Sequence, residues 1–155
     1  MKKILPLVLI AVFLLATQVS FASTNTVSEE IEYLPDGSYY VTIIEDAPSS
    51  DIQTRATKTV TKTKTTYYKN TSGKTLWWVK VTGTFTYGNG TSKCTSAKAS
   101  AASENSSWKV SNISSSRSGN TASATATGKQ YLDGKVMKTI TKKVTLKCSS
   151  TGVFS

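Results

Sequence analysis

From Ala56 onward, apolar and polar residues alternate with a period of two, and no window carries helical spacing. Residues 75–87 show this best: Trp77, Val79, Val81, Phe85 and Tyr87 take the odd positions, while Lys80, Thr82, Thr84 and Thr86 lie opposite. Such a stretch is a half-buried strand. Residues 57–68 alternate Thr with Lys or Val before Tyr67-Tyr68, and a strand of small residues follows over about 91–102. Another covers 107–113, with Trp108 and Val110. Over 121–132, Ala122, Ala124, Ala126 and Gly128 share one face, small enough to admit Trp77 or Trp108 from an opposing sheet. The last strand aligns Val136, Ile140, Val144, Leu146 and Cys148 inward, with Lys143, Thr145 and Lys147 outward. Asn89-Gly90 and Asp133-Gly134 are two-residue hairpin turns.

Upstream, 29–34 and 38–45 flank Pro35-Asp36-Gly37, where Pro presets φ and Gly accepts a positive one. This predicts a hairpin with Ile31, Tyr39, Val41 and Ile43 as its apolar positions. Residues 46–54 lack periodicity and form a linker. The whole is an all-β chain: an antiparallel β-sandwich, or alternatively a small barrel, preceded by an N-terminal hairpin segment.

Residues 1–22 have the layout of a secretory signal peptide. Lys2 and Lys3 form a positive start, 4–16 is apolar apart from Pro6, and Ser20-Phe21-Ala22 places small residues at −3 and −1. Cleavage is expected between Ala22 and Ser23. The apolar run is shorter than the roughly 20 residues of a membrane-spanning helix. The expected product is therefore a secreted, extracellular protein with no transmembrane segment.

Charge then divides the remainder. Residues 23–54 hold seven acids (Glu29, Glu30, Glu32, Asp36, Glu45, Asp46 and Asp51) and no Lys or Arg. Residues 55–155 hold 17 Lys or Arg against two acids, Glu104 and Asp133, and 36 Ser or Thr. An acidic segment thus precedes a basic domain suited to anionic partners. The acidic segment is a candidate pro-region, with processing after Arg55; the alternative is a hairpin packed permanently on the sheet. Cys94 and Cys148, in a chain bound for an oxidising compartment, are expected to form a disulfide.

The residue inventory narrows the chemistry. There is no histidine, so His-based acid–base catalysis, Ser-His-Asp and Cys-His triads, and most zinc and copper sites drop out. Glu104 and Asp133 are the only carboxylates available to a glycosidase pair in the basic domain, and both fall at turns. Ser106-Ser107-Trp108-Lys109 has the Ser-x-x-Lys spacing of penicillin-interacting enzymes, without their companion motifs. No catalytic, metal or cofactor site is expected. Lys58, Lys62 and Lys64 share a strand face, with Lys69, Lys74 and Lys80 nearby. These form a candidate stripe for phosphate, sulfate or carboxylate groups; the competing role is protection of a sheet edge.

The lysine-led signal, Glu29-Glu30-Ile31-Glu32-Tyr33-Leu34 with Pro35-Asp36-Gly37-Ser38-Tyr39, Thr54-Arg55-Ala56, Gly83-Thr84-Phe85-Thr86-Tyr87, Ser106-Ser107-Trp108-Lys109 and the two cysteines occur together. In these features the chain resembles small secreted proteins of Gram-positive gut bacteria, a family of unknown function. The resemblance implies a compartment and a source, and no activity. Two functions follow as expectations. One is a noncatalytic binder of anionic cell-wall polymer or acidic glycan at a cell envelope or host surface. The other is an antibacterial or membrane-active protein released from its acidic pro-segment. Nucleic acid is not expected as a partner.

Overall fold

The computed structural model describes residues 26–47, 52–53 and 57–155, and these form strands and turns without a helix. Ala22, Ser23 and Arg55, the expected processing points, lie outside the described residues. The strands are β1 (Thr26–Tyr33), β2 (Tyr39–Asp46), β3 (Ile52–Gln53), β4 (Lys58–Lys69), β5 (Thr75–Gly88), β6 (Thr91–Ser103), β7 (Trp108–Ser118), β8 (Thr121–Leu132) and β9 (Lys135–Lys147). One antiparallel sheet runs β1-β2-β4-β5-β6, with β3 also on β4, and a second runs β7-β8-β9. The two pack face to face as a β-sandwich, and among the described residues no barrel closes.

The turns follow from their residues. Asn89 and Gly90 have φ of 50° and 75°, and Asp133 and Gly134 of 48° and 76°. Paired positive φ values match the right-handed twist of the strands they join. Between β1 and β2, Asp36 Oδ1 accepts from the Ser38 amide at 3.1 Å and holds the loop.

Alternation places the core. Trp77, Val79, Val81 and Phe85 of β5 are buried against Ala122, Ala124 and Ala126 of β8 and Val144 and Leu146 of β9. Gly128 continues that small face under Trp77: a Cβ there would lie 2.6 Å from Trp77 Cε2. Trp77 stacks on Trp108 at 6.4 Å between centroids, and Tyr68 meets Trp108 edge-on at 5.4 Å. The chain end folds back through a Cys148–Phe154 bridge, so that Phe154 meets Phe85 edge-on at 5.3 Å.

Two local differences from the sequence expectation are Val136, which a register shift beside Tyr131 leaves 50% exposed rather than inward, and Ile52–Gln53, which pair with β4 inside the expected linker. Three further features differ. Ile31, Tyr39, Val41 and Ile43 do share a face, but it is the outer one; the core takes Tyr40 and Ile44 instead. With apolar residues on both faces of β2, period two cannot choose between them. Second, β7 does not stop near Ile113. Asn112 takes a φ of 53°, the register shifts between Ser111 and Ser114, and pairing resumes to Ser118. That bulge moves the inward set from Trp108 and Val110 to Ser115 and Arg117.

The third correction is the disulfide. Cys94 and Cys148 are both buried, yet both are free thiols. Their backbones flank the β7–β8 turn: the Cys94 amide donates to Gly119 O and the Cys148 amide to Asn120 O. Each thiol turns to a carbonyl of its own neighbourhood, Cys94 Sγ to Ser96 O at 3.2 Å and Cys148 Sγ to Ser149 O at 3.3 Å. Burial pushes both thiol pKa values up, which keeps them protonated and unreactive.

Candidate anion-binding faces

The lysines of β4 and β5 do not form one stripe. Lys62 and Lys64 lie opposite Gly83 and Val81, and so face inward with Lys58. Lys80 faces outward opposite Thr65, its Nζ 5.4 Å from the Trp78 ring centre. Lys69 is also on the outer side beside Tyr39, and Lys74 sits in the β4–β5 turn, where its amide donates to Asn70 Oδ1. A one-residue step along a strand reverses the face, so closeness in sequence did not become closeness in space.

The inward lysines face two openings. Lys58 and Lys62 stand with Asp46, Tyr87 and Phe154, while Lys64 stands with Glu30, Glu32 and Lys142 at a seam between β2–β4 and β9. Acids of the β1–β2 hairpin meet basic residues along both. Lys62 pairs with Asp46, Lys138 with Asp36 at 2.6 Å and Lys142 with Glu32 at 2.9 Å. Among the described residues, every ion pair joins the acidic segment to the basic domain in this way. Lys142 Nζ also lies 3.7 Å from the centre of the Tyr40 ring, and Lys138 Nζ donates to Tyr68 Oη at 2.9 Å. The hydrogen bonds from Lys138 and then Ser38 hold the Asp36 carboxyl at about 2, while the same pair raises the pKa of Lys138. Burial, with the nearby Tyr68 and Glu32, raises the Tyr40 hydroxyl to about 12. Burial also lowers the pKa of Lys62.

The basic surface without such acids is the outer face of β7-β8-β9. Cross-strand pairing places Lys109 opposite Lys129, Lys129 opposite Thr139, Thr125 opposite Lys143, and Thr121 opposite Lys147. Between these stand hydroxyls, some already paired: Thr127 with Thr141 at 3.0 Å and Ser123 with Thr145 at 3.2 Å. No Asp or Glu alternates onto this face, and no carboxylate of the described residues pairs with its four lysines. Lys109 and Lys129 stand directly opposite one another, an arrangement that repels. Lys109 leans onto the Tyr131 ring, 5.1 Å from its centre. With strands about 4.8 Å apart and like-facing residues about 6.8 Å apart, the face is an open lattice of ammonium and hydroxyl donors.

These four lysines were not nominated from sequence. The signal was present: in 121–132 and 135–147 the outward positions are Thr, Ser or Lys apart from Tyr131 and Val136, with no acid among them. The residues weighed for catalysis are scattered. Asp133 forms its turn, Glu104 follows β6 with its amide on Leu76 O, and Lys109 points outward to Tyr131. Among the described residues no group of three His, Cys, Asp or Glu could hold a metal. No protein-family model, curated protein or solved structure matches the chain.

Proposed function

We propose that the chain is an exported, noncatalytic β-sandwich that binds an anionic polymer at a cell envelope or host surface through the outer face of β7-β8-β9. The carrying observation is the acid-free set Lys109, Lys129, Lys143 and Lys147 on one outer sheet face. A row of phosphates or carboxylates relieves the repulsion between Lys109 and Lys129, and the surrounding hydroxyls hydrogen-bond the same oxygens. An open sheet face suits an extended chain better than a small molecule, which needs a concave site.

Release of the acidic segment as a pro-region is the second reading, and the three ion pairs to the basic domain favour it. Against it, the same segment supplies Tyr40 and Ile44 to the core, so its loss would open the sandwich. Binding by the whole chain needs no such cost.

The test is retention of the protein beginning at Ser23 on immobilised poly(glycerol phosphate) and on immobilised polygalacturonate. Retention at low ionic strength and release by salt are expected, because exposed charges are screened over about 10 Å at 0.1 M. Replacing Lys109, Lys129, Lys143 and Lys147 together by Gln should abolish retention, whereas Lys58→Gln with Lys64→Gln should leave it intact. Unchanged retention of the fourfold variant, or no retention of the parent at low salt, would sink the proposal.

A further inference from the structure

The opposite face of the sandwich carries a different chemistry. On the outer side of the larger sheet, one cross-strand row runs Ile31, Val41, Tyr67, Trp78 across β1, β2, β4 and β5. The adjoining row runs Tyr33, Tyr39, Lys69. Tyr33 and Ile31 are 74% and 48% exposed, although both sit on a strand face where small polar residues would be the ordinary choice. The Tyr33 and Tyr39 rings lie 5.5 Å apart. A shallow cavity of about 400 Å³ opens here, lined among others by Ile31, Tyr39, Val41, Tyr67 and Lys69.

Charges around these rings are mixed. Glu29 and Lys80 stand in the neighbouring row, which runs on to Ser100 of β6. Lys98, opposite Thr82, shares the face, and Lys80 lies over the Trp78 ring. Glu45 shares the face, and both Glu45 and Glu104 are near enough to help burial raise the Tyr67 pKa. A polyanion would meet three carboxylates here, unlike on the acid-free face of the smaller sheet. A bilayer would have to strip water from those carboxylates and from Lys69 and Lys80, which is costly.

What fits is a ligand with apolar ring faces and a rim of hydroxyls. We propose that this face is a platform for a neutral glycan chain lying across the strands. The C–H faces of its sugar rings rest on Tyr67, Tyr39 and, once Lys80 leaves its ring for a sugar hydroxyl, Trp78. Its hydroxyls donate to Glu29 or Glu45 and accept from Lys69 and Lys80. Four residues in a row at about 4.8 Å per strand span about 14 Å, room for an oligosaccharide rather than one sugar. The rigid, half-buried rings lose little side-chain freedom on binding.

The platform differs from the anion-binding face in both location and ligand class, so each can fail without the other. The experiment is co-sedimentation of the protein beginning at Ser23 with insoluble cellulose, chitin, β-1,3-glucan and mannan at about 1 M salt, where charge attraction is screened within about 3 Å. The expected result is retention on at least one of the four. Trp78→Thr and Tyr67→Ser should each weaken it about tenfold, the scale for truncating one aromatic anchor. Both replacements suit an exposed strand, and an unchanged melting temperature checks the fold. The fourfold lysine variant of the smaller sheet should bind these polysaccharides like the parent. No retention on any of the four overturns the proposal, as does retention that both aromatic variants keep. Concentration-dependent dimerisation lost in those variants, without polysaccharide retention, would instead assign the face to a second copy of the chain.

Discussion

Gly128 shows how one position decides a core. Trp77 is 1% exposed and stacked on Trp108, so it cannot retreat from a side chain added beneath it. Gly128→Ala places a Cβ 2.6 Å from the indole. Ordinarily Ala is the better strand residue, so the two effects oppose; here the clash should win. A loss of about 1–3 kcal/mol is expected, the usual cost of overpacking, read as a lower urea midpoint; an unchanged or higher midpoint would contradict it. The thiols give a second prediction at this scale. Without reductant, iodoacetamide should alkylate both Cys94 and Cys148 in guanidinium and neither in the folded protein, because burial shields them and raises their pKa values. A mass that never gains two adducts without reductant would restore the disulfide.

At the scale of elements, the β1–β2 hairpin is where charge and packing meet. It lies on β4 through eight residue pairs, from Tyr39–Lys69 to Asp46–Lys62, and its acids reach across to β9. The Asp36–Lys138 pair makes this contact depend on pH. The folded Asp36 pKa of about 2 is below its ordinary 3.8, so the pair's contribution is complete above pH 3.8. It is lost as pH falls through about 2. Asp36→Asn should therefore flatten the fall in urea midpoint between pH 3.8 and about 2. Parallel profiles for parent and variant would show that the exposed pair contributes nothing, the common outcome for surface ion pairs. Strand positions were legible in the sequence because alternation and the Asn89-Gly90 and Asp133-Gly134 turns are local signals. The second half of β7 was not: beyond the bulge at Asn112, its Ser-rich run has no apolar face to announce it.

For the molecule as a whole, the two outer faces lie on opposite sides of one core, so occupancy of one does not block the other. Substitutions on the two should act independently, as expected for distant sites without shared partners. The sequence by itself determined the all-β class, the places of the strands other than β3 and the second half of β7, two of the hairpin turns and the small face of β8 that receives Trp77. Each rests on a period of two, a turn dipeptide or side-chain size, all readable along a single strand. Only the tertiary structure decided which way β2 faces, that Cys94 and Cys148 stay apart, that Lys58 and Lys62 turn toward Asp46 and Phe154, and that Lys64 turns toward a seam holding Glu30 and Glu32. It alone gathered Lys109, Lys129, Lys143 and Lys147 from three strands into one surface. The physical reason is register: alternation says that two residues share a face, but which sheet covers that face, and which strand lies beside it, depends on pairings between residues far apart in the chain.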